Sequence, residues 1–178
     1  MAWDWNRFAP HEAWQPFVPS AERPWDEGRA AHLLRRAGFG ATRSQIDAAV
    51  RRGPRATVEQ LITARDEPKF DATLNSMASS LLAAGDVRPL AAWWLYRIIH
   101  TAAPLRERIT LFWHGHFATS GAKVDDARLL MDQHDLLRRH ALGKFRDLAH
   151  GISRDPAMLL YLDSATNRRS HPNENFAR

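Results

Sequence analysis

The sequence contains no cysteine. Disulfides and thiolate metal sites are therefore excluded, while the compartment stays open, since exported proteins can also lack Cys. No stretch approaches the roughly 18 apolar residues of a membrane span. The opening "MAWDWNRFAPHEAWQPFVPS" lacks the basic start and apolar run of a secretory signal, so a cytoplasmic location is the default expectation. Sustained alternation of apolar and polar residues is missing, which argues against strands, and no internal repeat is found. The positive charge is not gathered in one place. Net charge is +5, and Arg35/Arg36, Arg51/Arg52, Arg138/Arg139 and Arg168/Arg169 are spread along the chain. Spread pairs fit solvated helix faces. A nucleic-acid footprint clusters its charge among exposed aromatics, so nucleic acid is not the expected partner.

The chain does have enough length and apolar content for one domain with a real core: 178 residues, 44% hydrophobic and 25% charged. Residues 1–25 read as an extended arm rich in Trp and Pro. Its Trp3, Trp5, Phe8, Trp14 and Phe17 are expected to lie across the domain surface rather than in water. Residues 26–178 read as a single helical domain ending in a polar tail.

Helical signals run through that domain. A helix is expected from Asp26 to Ala37, with Leu33, Leu34 and Ala37 inward and Gly38 as its stop. Thr42 and Gln45 form a capping-box signature for the next, which Gly53 ends. Pro54 suits the first turn of a third, with Val58, Leu61 and Ile62 inward. A fourth covers Asp71 to Ala84 and stops at Gly85. In "RPLAAWWLYRIIHT" the inward set is Leu90, Trp93, Trp94, Arg97, Ile98 and Thr101. After Pro104, the same rhythm selects Leu105, Ile109, Phe112, Trp113 and His116. Beyond a loop from Ser120 to Lys123 it selects Leu129, Gln133, Leu136, Leu137 and His140. A short helix around Leu148 and a last one capped by Asp155-Pro156 follow. The expected fold is all-α, an irregular multi-helix array.

Within "LFWHGHF" two histidines stand two positions apart. On a helix this separates them by about 200°, so their rings diverge and cannot chelate one ion unless the helix ends before Gly115. His116 shares the arc of Leu105, Ile109 and Phe112, whereas His114 points away. Arg97, His116, Gln133 and His140 thus fall at inward positions of three successive helices. Buried polar groups cost about 1–3 kcal/mol each when unpaired. They should therefore pair with one another or with Lys123, Asp125, Asp163 or Glu174. Such a cluster is either a structural network that fixes helix register or a functional polar site. His134, His150, His11 and His32 sit at ordinary positions and read as structural or solvated.

The segments "AAHLLRRAGFGAT", "RITLFWHGHFATSGAKV", "LLRRHALGKFRDL" and "RDPAMLLYLDSATNRRSHPNENFAR" resemble the N-terminal part of a large bacterial family, domain of unknown function 1800. The likeness runs from Ala30 to Arg178. It implies a mainly helical fold and a chain cut short, because members are longer and the motif beginning at Asn173 continues as a helix. An apolar face left uncovered is then expected. The resemblance brings no established activity and no cofactor. It implies one partner, the product of a neighbouring gene from an uncharacterised family similar to sulfatases and alkaline phosphatases. Trp113, His116, Phe117, Lys123, Gln133, Arg139, Asp163, Asn173, Glu174 and Arg178 fall in the family's motifs.

Two functions compete. In an enzyme, His116 would be general base or metal ligand and Glu174 a carboxylate. Lys123, Gln133, Arg139, His140, Asp163 and Asn173 would then be the binding groups. In a binding or assembly module the inward polar groups are only structural, and the arginine-rich faces dock an acidic partner.

Overall fold

The computed structural model describes residues 15–170 and residue 173. Trp3, Trp5, Phe8, Trp14, Glu174 and Arg178 lie outside the described residues. Among the described residues there are nine α-helices and no β-sheet. They are α1 (Glu27–Ala37), α2 (Arg43–Arg52), α3 (Pro54–Thr63), α4 (Pro68–Ala84), α5 (Pro89–His100), α6 (Pro104–His116), α7 (Ala127–His140), α8 (Phe145–Ile152) and α9 (Pro156–Tyr161). A 3₁₀ turn, Ser164–Thr166, follows. The fold is all-α.

Local chemistry explains where the helices begin and end. Asp26 caps α1 by accepting from the Arg29 N–H, and Thr42 with Gln45 forms the full capping box of α2. Five helices, α3 to α6 and α9, carry Pro in their first turn, where its missing N–H costs no helical hydrogen bond. Gly85 ends α4 at φ 69°, a left-handed conformation that a side chain would strain. Trp25 ties the segment before α1 to α2 by donating its Nε1–H to the Ala49 carbonyl at 3.0 Å.

α7 lies at the centre and packs on α4, α6, α8 and α9. One side of it joins Leu137 to Leu148, Ile152 and Met158 of α8 and α9. The other joins Met131 to Leu74 of α4 and Trp93 of α5. α1 and α3 pack on α6, and α2 lies between α1 and α3 in the chain and touches both.

α6 reverses the expected phase. Its buried positions are Glu107 and Thr110, with His114 half-buried on the same side, while Phe112 is 59% exposed and His116 is exposed. Counted at about 100° per residue, this face is roughly opposite the one containing Ile109, Phe112 and His116. The inward face is polar because it meets polar partners: Glu107 accepts from Arg138 of α7 and from Trp94 of α5. A helix whose buried face is a hydrogen-bonded carboxylate leaves its apolar residues outside, and a rule that equates apolar with inward then picks the wrong side. A smaller shift affects α3, where Thr57 and Leu61 are buried but Val58 and Ile62 are exposed. Thr57 can be buried because its hydroxyl donates to the Gly53 carbonyl at 2.7 Å.

Candidate functional site

α5, α6 and α7 enclose a cavity of about 510 Å³ together with the loop before α7. Its apolar wall comes from Leu90, Trp93 and Trp94 of α5 and Leu130 and Met131 of α7. Polar groups converge from Thr119, His114, Gln133 and His134. Trp93, Trp94 and Gln133 are anchored by hydrogen bonds. Trp93 donates its Nε1–H to the Leu74 carbonyl at 3.1 Å, and Trp94 donates to Glu107 at 3.1 Å, so both indole rings are fixed. Gln133 is buried; its amide donates to Asp155 Oδ2 at 2.7 Å, and its carbonyl accepts from the Thr119 hydroxyl. Asp155 also caps α9 by accepting from the Met158 N–H at 2.8 Å. The same residue thus starts a helix and orients the amide in the cavity. Burial raises the Asp155 carboxyl above its ordinary range, while the hydrogen bonds from Met158 and Gln133 oppose the rise.

Two imidazoles stand against Trp94, both edge-on: His134 at 4.7 Å and His114 at 5.2 Å between ring centroids. His134 also meets Trp93 edge-on at 5.3 Å. It is only 9% exposed, yet its Nε2 has no hydrogen-bond partner. Burial, then the positive charges of Arg97 and Arg138, push its pKa down to about 3. His114 is likewise lowered, by burial. Both rings are therefore neutral at pH 7, each with one donor and one acceptor nitrogen.

The sequence-selected residues divide between several places. Gln133 lines the cavity. His116, expected inward, is instead exposed at the end of α6, against Phe112, Trp113 and Phe117. Neither of its expected contacts, with Gln133 or with the 163–174 segment, is present among the described residues. The divergence of the two histidines holds, but His114 is the one facing the cavity. Lys123 and Asp163 form an ion pair at 2.6 Å on the surface, and Lys123 stands over the Tyr161 ring. Asp163 adopts a left-handed φ of 56°, rare for a residue with a side chain. Asn173 is held near this turn, its amide donating to the Leu162 carbonyl. Arg139 is exposed beside a second, charged cleft, and His140 is half-buried at the end of α7. Among the described residues, no group of three or more His, Asp or Glu side chains converges to hold a metal ion.

Sequence reasoning misses His134, Glu107 and Asp66. The signal for His134 is its position with Ala127, Met131 and Ala141, a second helical arc offset from the one containing Leu129 and Leu136. The signal for Glu107 and Asp66 lies only in their partners. Asp66 is in the α3–α4 link, where it accepts from the Thr101 hydroxyl, the Ala102 N–H and Arg138.

Residues 32–178 match the model of a family described as a protein of unknown function (DUF1800). No curated protein and no solved structure matches the chain. No helix among the described residues is long and apolar enough to cross a membrane.

Proposed function

This chain belongs to the DUF1800 family, and we propose that the cavity between α5, α6 and α7 is its ligand site, of the kind an enzyme builds. The observation that carries this reading is the unpartnered Nε2 of the buried His134 beside open volume. A buried polar atom without a partner costs about 1–3 kcal/mol, and a ligand hydroxyl or amide would remove that cost. The indole walls suit a flat apolar body, and Gln133 with Thr119 offers further hydrogen-bonding groups at the polar end. The two rings would divide the work. His134 is too weak a base to take a proton at pH 7, so it positions ligand. His114, half-buried on the wall, replaces His116 as the ring able to exchange a proton. Asp155, behind the cavity wall, would hold the Gln133 amide in place rather than touch the ligand.

Phenol tests the reading, since it has an aromatic body and a hydroxyl that can donate or accept. Titrated into the protein, it should move the ring resonances of His114 and His134 and saturate in the millimolar range. Toluene should bind at least tenfold more weakly, and His134→Phe should erase the difference between the two. Equal affinity for both ligands in the wild type would end the proposal.

A second reading rests on a different surface. Phe112, 59% exposed, and Phe145, 57% exposed, flank Trp113 at 4.9 and 5.6 Å between centroids. This apolar ledge supports a docking module, and the neighbouring sulfatase-like gene product is the partner that the family resemblance suggests. Sedimentation of the two proteins together, with and without the double change Phe112→Ser and Phe145→Ser, tests it separately from phenol binding.

A further inference from the structure

A second cleft, of about 650 Å³, opens further along the same face of α5, where Arg97 meets α4, α6 and α7. Five arginines line it: Arg65, Arg97, Arg106, Arg138 and Arg139. The carboxylates beside them are Asp66, Asp71 and Asp135, with Glu107 bonded to Arg138. Asp66 and Glu107 are already committed. Asp66 accepts from Thr101 Oγ1 at 2.7 Å, the Ala102 N–H at 2.8 Å and Arg138 Nη2 at 3.0 Å. Glu107 accepts from Arg138 Nε at 2.6 Å and Trp94 Nε1 at 3.1 Å.

Arg97 is left over. It is 4% exposed, yet its Nε and Nη1 have no hydrogen-bond partner. Its Nη1 stands 3.8 Å from Asp66 and 3.6 Å from Asp71, close enough for charge attraction but too far for a hydrogen bond. Trp93 covers one face of the guanidinium at 5.2 Å. A guanidinium is a planar fork of donors with no acceptor. What this one lacks is acceptor oxygens, and the cleft beside it has room for them. Charge agrees: five arginines against four carboxylates leave an excess of one positive charge, and Arg139 stands exposed beside the opening.

We propose that this cleft binds a small oxyanion, a carboxylate or phosphate group, with Arg97 as its innermost donor and Arg106 and Arg139 nearer the rim. The oxygens would meet the guanidinium where it lines the cleft, and the planar fork favours a ligand with two oxygens on one centre. This site is separate from the indole cavity, although Trp94, Glu107 and Arg138 form a hydrogen-bonded link between the two.

The test uses the 178-residue chain, with sodium acetate and sodium phosphate titrated at ionic strength held constant by sodium chloride. Calorimetry should give saturable millimolar binding of at least one anion, with a rise in Tm that chloride does not produce. Tighter binding of acetate identifies the ligand group as a carboxylate, tighter binding of phosphate as a phosphoryl group. Arg97→Lys keeps the charge but loses the fork, and should weaken binding at least tenfold. Arg139→Gln, at an exposed position, should leave the ligand-free Tm unchanged and weaken binding several-fold, so the test stands even if the Lys variant folds poorly. Absence of saturable binding of either anion, or affinities unchanged in Arg139→Gln and in a folded Arg97→Lys, would overturn the proposal.

Discussion

His134 cannot easily take up a proton where it sits, between two indoles and beside Arg97 and Arg138. Its folded pKa, about 3, is below the 6.5 of the free side chain. Below pH 6.5 the unfolded chain therefore binds a proton that the folded chain refuses. The contribution to stability is fully present above pH 6.5 and is lost as pH falls toward 3, at up to about 1.4 kcal/mol per pH unit. Urea denaturation should show about 1.6 kcal/mol less stability at pH 5 than at pH 6.5 from this group. His134→Phe should remove most of that slope. Asp135 and Asp155 have raised pKa values, so their contributions run the other way. Both remain in the variant, and the difference between the two proteins isolates the histidine. An unchanged slope would mean that the ring is solvated. Gln133 and His134 are adjacent, yet only Gln133 stands out in the sequence. Gln133 falls in the arc marked by Leu129, Leu136 and Leu137, whereas His134 belongs to one marked by Ala127, Met131 and Ala141, whose weaker apolar signal hides it.

At the scale of the element, α6 is the informative case. Its boundaries are legible: Pro104 opens it, and the expected helix through His116 is observed. Its rotation is not legible, because the side that enters the protein carries Glu107 and Thr110. The consequence can be measured. Glu107→Leu leaves Arg138 Nε and the Trp94 N–H without their acceptor, with Asp66 still holding Arg138 Nη2, and should cost about 3 kcal/mol, the low end of the usual cost of breaking a buried ion pair from one side. Phe112→Ser, at the position expected inward, should change stability by less than about 0.5 kcal/mol. Chemical denaturation of the two variants decides the phase: the opposite ranking would restore Phe112 and His116 to the interior. α5 needs no such correction. Trp93 and Arg97 are its buried residues, as its rhythm predicts, because there the polar residue is one among several large apolar ones.

For the whole molecule, α7 joins both core clusters, since Leu137 belongs to one and Met131 to the other. Unfolding one side should therefore expose the other. Far-UV circular dichroism and tryptophan fluorescence should report coincident urea transitions, and Leu137→Ala should move both together by about 2–5 kcal/mol. Separate transitions would show that the α8–α9 cluster and the Trp93 cluster fold independently. The sequence by itself determined the all-α class, most helix ends and the family, because caps, Pro and Gly act through neighbouring residues and need no tertiary partner. The tertiary structure alone decided which side of α6 is inside, that His114 rather than His116 lines the cavity with Gln133, and that Arg97 Nε and Nη1 are left without acceptors. Those outcomes depend on partners far apart in the chain, such as Asp66 with Arg138 and Glu107 with Trp94. A buried charge is permitted only where such a partner arrives, and no local pattern records that arrival.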